Sequence, residues 1–149
     1  MIKKIILFCL LLCSCTYYHD IKNSLFFQQE NRKKSWVYFY QGLEQKRLGL
    51  WKEAAESFHI SVALNYENAR VHAHLAECFV SLNLQEKAIV SLQEAEKYAS
   101  KDDYMIFFDM GKIYESMGNN TKAQELYNKS FSLCPKLQSQ KKLSSPDES

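Results

Sequence analysis

Apolar and polar residues divide the chain into four stretches. Eight consecutive apolar residues, Ile5 to Leu12, follow the basic pair Lys3-Lys4. Residues 16–34 are polar apart from the patch Leu25-Phe26-Phe27. From residue 35 to Leu137, large and small residues recur three and four apart, the spacing of one helix face and not the two-residue alternation of a strand. After Leu137 the chain is polar, and residues 138–149 are expected to be a disordered tail. The central stretch therefore predicts packed helices between two flanking segments.

That stretch repeats. Gly42, Ala76 and Gly111 are 34 and 35 residues apart, and so are Gly49, Asn83 and Gly118. The same offsets join Ala54, Ala88 and Ala123, then Phe58, Leu92 and Tyr127, then Ser61, Ala95 and Ser130, then Leu64, Tyr98 and Leu133. All four glycines fall on two of these rows. The first row puts a small residue inside a helix, where a neighbouring helix can come close. The second holds residue types that tolerate positive φ and can end a helix. Small residues at Ala54 and Ser61 flank the large Phe58 on one face, and the later units copy this. Each unit reads as two antiparallel helices with interlocking side chains.

The pattern resembles the tetratricopeptide repeat (TPR) family. Repeat one would cover 35–68, repeat two 69–102 and repeat three 104–137, with Asp103 inserted. Met110-Gly111, Tyr114, Gly118, Ala123, Tyr127 and Pro135 fall on the family's motif positions in repeat three. Gln41 and Gln45 depart from it in repeat one, where apolar residues are usual. The resemblance implies an all-α, right-handed superhelix of three helix-turn-helix repeats, enough for a stable stack. It also implies a concave groove lined by the first helices. That groove would draw on Trp36, Phe39, Tyr40, Leu43, Lys46 and Arg47 from repeat one, and on Arg70, Ala73, His74, Glu77, Val80 and Ser81 from repeat two. Repeat three would add Met105, Phe108, Asp109, Lys112, Glu115 and Ser116. One subgroup clamps the C-terminal carboxylate of chaperones with Lys, Asn and Arg. The matching positions here are Phe39, Leu43, His74, Met105 and Asp109, so no such clamp is expected. Aromatic anchors of this kind suit a protein segment as ligand, although an aromatic stripe at helical spacing also suits a core.

The first fourteen residues read as a secretory leader, with a basic start and a short apolar run. Eight helical residues rise about 12 Å, short of the roughly 30 Å needed to span a bilayer. Leu12-Cys13-Ser14-Cys15 resembles the lipobox of bacterial lipoproteins, although Cys13 departs from the residues usual at its position. The resemblance implies cleavage before Cys15, acylation of Cys15 and anchoring in a lipid bilayer. Thr16, rather than Asp, follows Cys15, which by resemblance favours the outer over the inner membrane. Residues 15–34 would then be a tether, or a helix covering the open face of repeat one.

Composition and charge narrow the function. The leader carries two lysines, leaving 17 basic and 17 acidic groups in the rest of the chain, so no basic excess points to nucleic acid. Cys78 and Cys134 lie outside the leader and form no CxxC pair; Cys78 reads as a core residue. His72 and His74 point to opposite helix faces, and no phosphate-binding, metalloprotease or nucleophile-elbow motif occurs. Asp102-Asp103 reads as a helix cap rather than a catalytic pair. No enzyme activity, metal or cofactor is implied. The expectation is a lipid-anchored protein-binding adaptor or assembly factor of the bacterial cell envelope. The alternatives are a cytosolic secretion-type chaperone with the same repeats and a structural, self-associating envelope protein.

Overall fold

The computed structural model describes residues 2–136, with side chains described from Lys22 onward. Six helices follow one another: α1 Ile2–Arg47, α2 Trp51–Leu64, α3 Ala69–Ser81, α4 Gln85–Tyr98, α5 Tyr104–Ser116 and α6 Asn120–Leu133. They pack as the pairs α1–α2, α3–α4 and α5–α6, with α3 resting on α2 and α5 on α3. This all-α architecture is the superhelical TPR fold.

The turn inside each pair follows from one residue. Gly49, Asn83 and Gly118 have φ of 76°, 58° and 78°. Each donates its backbone N–H to the carbonyl three residues back: Lys46, Val80 and Glu115, at 3.0, 2.9 and 2.9 Å. The next residue reaches five back, Leu50 to Gln45, Leu84 to Phe79 and Asn119 to Tyr114, at 2.9, 2.8 and 2.9 Å. Three copies of one Schellman cap thus close the first helices and use carbonyls that would otherwise lack donors.

Pairing distance is set by size matching. A Cβ at Gly42 would lie 2.6 Å from the Phe58 ring, and one at Gly111 would lie 2.8 Å from the Tyr127 ring. In the middle pair both Ala76 and the smaller Leu92 are fully buried. The core runs through all three pairs, and Ala54, Phe58, Leu92, Ala95 and Met110 are wholly enclosed. Each buried side chain of Leu or Phe size contributes about 1.5–3 kcal/mol relative to exposure. The row of Ser61 and Ser130 also carries hydrogen bonds. Ser61 Oγ donates to the Ser35 carbonyl at 2.9 Å, and Ser130 Oγ to the Tyr104 carbonyl at 2.8 Å.

Gln45 departs from the apolar pattern because its Oε1 accepts from Ser57 Oγ across the pair at 2.6 Å. Gln41 is exposed on the side of α1 that no preceding repeat covers. Asp103 sits at the α5 N-cap, as its sequence position suggested, but its side chain makes no capping hydrogen bond. Cys78 is fully buried, and burial pushes its thiol up to about 12. Residues 2–14, read from the sequence as a leader, lie within α1, and residues 138–149, read as a tail, lie outside the described residues. At 46 residues α1 is about 69 Å long. Beyond the repeats it exposes Leu25, Phe26 and Phe27, each at least 60% accessible. Among the described residues no helix is long and apolar enough to cross a membrane.

Candidate functional site: the concave groove

Helices α1, α3 and α5 form one side of the stack, and their residues enclose a cavity of about 290 Å³. Its walls are Lys46, Ala73, His74, Glu77, Asp109, Lys112, Ile113 and Ser116. At Ala73 the wall carries a methyl group, where the neighbouring repeats have Phe39 and Phe108 at the equivalent position.

Charge in the cavity is partly paired. Lys46 Nζ donates to Glu77 Oε2 at 2.7 Å and lies 3.1 Å from His74 Nδ1. His74 Nδ1 is 3.5 Å from the same Glu77 oxygen. Burial works to raise the Glu77 pKa, but the hydrogen bonds from His74 and Lys46 and their positive charge prevail and hold it at about 2. Asp109 behaves oppositely. Burial raises its carboxyl, Glu77 adds to that, and the charges of Lys112, His74 and Lys46 oppose it without cancelling it. The Lys112 ammonium lies 6.0 Å from the Phe108 ring centroid.

The sequence-predicted groove residues separate into groups. His74, Glu77, Asp109 and Lys112 line this cavity. Trp36 and Arg70 meet instead in a second hollow of about 360 Å³, beside Tyr98, Asp103 and Ile106. Tyr40 and Met105 line neither hollow and stand exposed, at 64% and 54% accessibility. Phe39 is 3% exposed, with its ring 6.0 Å from Phe58 and 5.6 Å from His74, so it supports the groove from the core. Leu43 is half-buried against the core. Arg47 is exposed and pairs with Glu44 one turn earlier on its own helix, at 2.6 Å. Phe108 is half-buried against Tyr127 and Phe131, at 5.4 and 6.2 Å between centroids. Two features escaped sequence reasoning: Ile113 as a wall residue, and the ion pair joining Lys46 and Glu77 across 31 positions. Opposite charges at groove positions of adjacent repeats were the available signal for the second.

Among the described residues no group of three or more His, Cys, Asp or Glu side chains could hold a metal ion. The cavity offers hydrogen-bond donors and acceptors, two apolar side chains, Ala73 and Ile113, and mixed charge.

The comparisons with known proteins agree with this architecture. Residues 106–137, the third helix pair, match the tetratricopeptide repeat family model. The fold is similar to the Arabidopsis OM64 TPR domain, with a TM-score of 0.62 at 21% identity over 71% of this chain and 87% of that one. It is also similar to the second TPR of Spaghetti (RPAP3) bound to the HSP90 peptide SRMEEVD, with a TM-score of 0.61 at 18% identity over 71% and 96% of the two chains. The crystal structure of MamA matches with a TM-score of 0.58 at 27% identity, over 68% of this chain and 58% of MamA. No curated protein matches the chain by sequence. The fold class is thus that of TPR domains.

Proposed function

We propose that this chain is a lipid-anchored adaptor of the bacterial cell envelope that holds another protein in its concave groove. The observation that carries the binding half is the cavity at Ala73, with Tyr40 and Met105 exposed on α1 and α5, two of the helices that line it. Solved neighbours with this fold include a domain bound to a peptide, which supports a polypeptide ligand. The acidic peptide itself is not carried over, because Phe39, Leu43, Met105 and Asp109 bring no cation to the positions that would clamp it. The anchoring half rests on the resemblance of Leu12-Cys13-Ser14-Cys15 to a lipobox. Residues 16–34 then serve as a helical tether. Anchoring confines the groove to a surface and raises its effective concentration near membrane partners.

Fractionation tests the anchor: a Cys15→Ser form is released from membranes, and its recovery with the membranes would contradict anchoring through Cys15. The Tyr40→Glu/Met105→Glu double variant tests the groove. It should stay helical by circular dichroism, stay in the membrane fraction and lose the envelope protein that co-purifies with the wild-type chain. Undiminished co-purification would remove the groove as the binding surface. The exposed patch Leu25-Phe26-Phe27 favours a second reading, self-association through α1. In that case the co-purifying species would be the chain itself.

A further inference from the structure

We propose that the cavity at Ala73 takes a basic side chain, an arginine or lysine carried by a partner segment laid across α1, α3 and α5. This deepens the groove reading and rests on it. Open acceptors outnumber open cations in the cavity wall. The Lys46 side chain is only 19% exposed, and its ammonium is already committed to Glu77. Lys112 is the cation left open, and it leans toward Phe108. Against it stand three carboxylate oxygens, Glu77 Oε1 and both oxygens of Asp109, with no hydrogen bond among the described residues. Asp109 is half-buried in the wall, and its carboxylate receives no hydrogen bond from another described residue.

A guanidinium or ammonium group supplies the missing donors, and arginine's planar fork can serve two oxygens at once. An acidic segment would bring negative charge against Asp109 and Glu77, with Lys112 as its one open counter-charge. The Lys46–Glu77 ion pair braces the cavity wall between α1 and α3, keeping both charges in place.

The test reads the sign of the charge preference. Four fluorescent twelve-residue peptide libraries carry Arg, Lys, Gln or Glu at a fixed central position and are random elsewhere. Binding to the full chain in detergent micelles is followed by anisotropy. The Arg and Lys libraries should bind about tenfold tighter than the Glu library. Asp109→Asn should reduce that preference, and Lys112→Ala, which removes the competing cation without touching a buried group, should increase it. A preference for Glu, or Lys112→Ala weakening the binding of Arg, would overturn the proposal. Equal binding of all four libraries would overturn it too, while leaving the groove as a binding site. If no library binds and the Tyr40→Glu/Met105→Glu variant also keeps its co-purifying partner, the groove reading itself has failed.

Discussion

In the first and third repeats a glycine faces an aromatic ring: Gly42 meets Phe58 and Gly111 meets Tyr127. In the middle repeat Ala76 stands at the glycine position and Leu92 at the ring position. The outer repeats also carry a serine, Ser61 or Ser130, that hydrogen-bonds to the carbonyl of residue 35 or 104. The middle repeat has Ala95 there. The outer repeats place Phe39 and Phe108 on their first helices, whereas the middle one has Ala73. One backbone architecture is therefore built twice from a ring against a hydrogen atom and once from two aliphatic groups. The lesson is functional as well as structural. The cavity lies where Ala73, His74 and Glu77 of the middle repeat meet Asp109, Lys112, Ile113 and Ser116 of the third, with Lys46 of the first closing it.

That contrast can be broken on purpose. The largest expected effect is at Leu92, fully buried in the middle pair: Leu92→Ala should cost about 2–5 kcal/mol in urea unfolding, with a matching fall in midpoint. Next is Gly111→Ala. Its new methyl would stand 2.8 Å from the Tyr127 ring, and overpacking of this kind costs about 1–3 kcal/mol. Adding Tyr127→Leu recreates the middle repeat's pairing and should recover part of that loss, a coupling that a double-mutant cycle measures. Additive losses would show that the rings and glycines are not matched.

Smaller again is Ser61→Ala, which removes two hydrogen bonds with Ser35. It should cost about 1 kcal/mol. The smallest effect concerns pH. Glu77 titrates at about 2 instead of its ordinary 4.5, so its contribution is present above 4.5 and is lost as pH falls from there toward 2. Asp109 has the opposite sign: its raised pKa favours the fold when protonated, and that contribution fades as pH rises through its titration. Solvent screening keeps both effects small, since the Glu77 side chain is 40% exposed. Lys46→Met should move the Glu77 midpoint upward, as read by carboxylate NMR shifts. An unmoved midpoint would refute the ion pair as its cause.

Much of this fold was legible in the sequence because its determinants are periodic. The Gly49, Asn83 and Gly118 row announced three turns, and all three adopt the same positive-φ cap. The Gly42 and Gly111 row announced close approach, and both glycines face rings. The hidden features depend on atoms rather than spacing. Ser61 and Ser130 registered only as small residues, because their hydroxyl partners lie on another helix. Gln45 looked like a departure until Ser57 was placed beside it. The groove list joined residues that the structure separates. Helix rotation decides whether a residue such as Phe39 enters the core or Tyr40, its neighbour in sequence, reaches the surface, and a position number cannot resolve that angle. The cavity's charge balance needed the Lys46–Glu77 pair, which spans two repeats.

The most direct test of the groove as the binding surface is photo-crosslinking in living cells. A photo-reactive residue at Phe108, in the full chain, reports what occupies the groove beside the cavity. The account predicts capture of one other envelope protein, abolished by Met105→Glu in the same chain. Capture of the chain alone, or capture of the same protein undiminished by Met105→Glu, would contradict it.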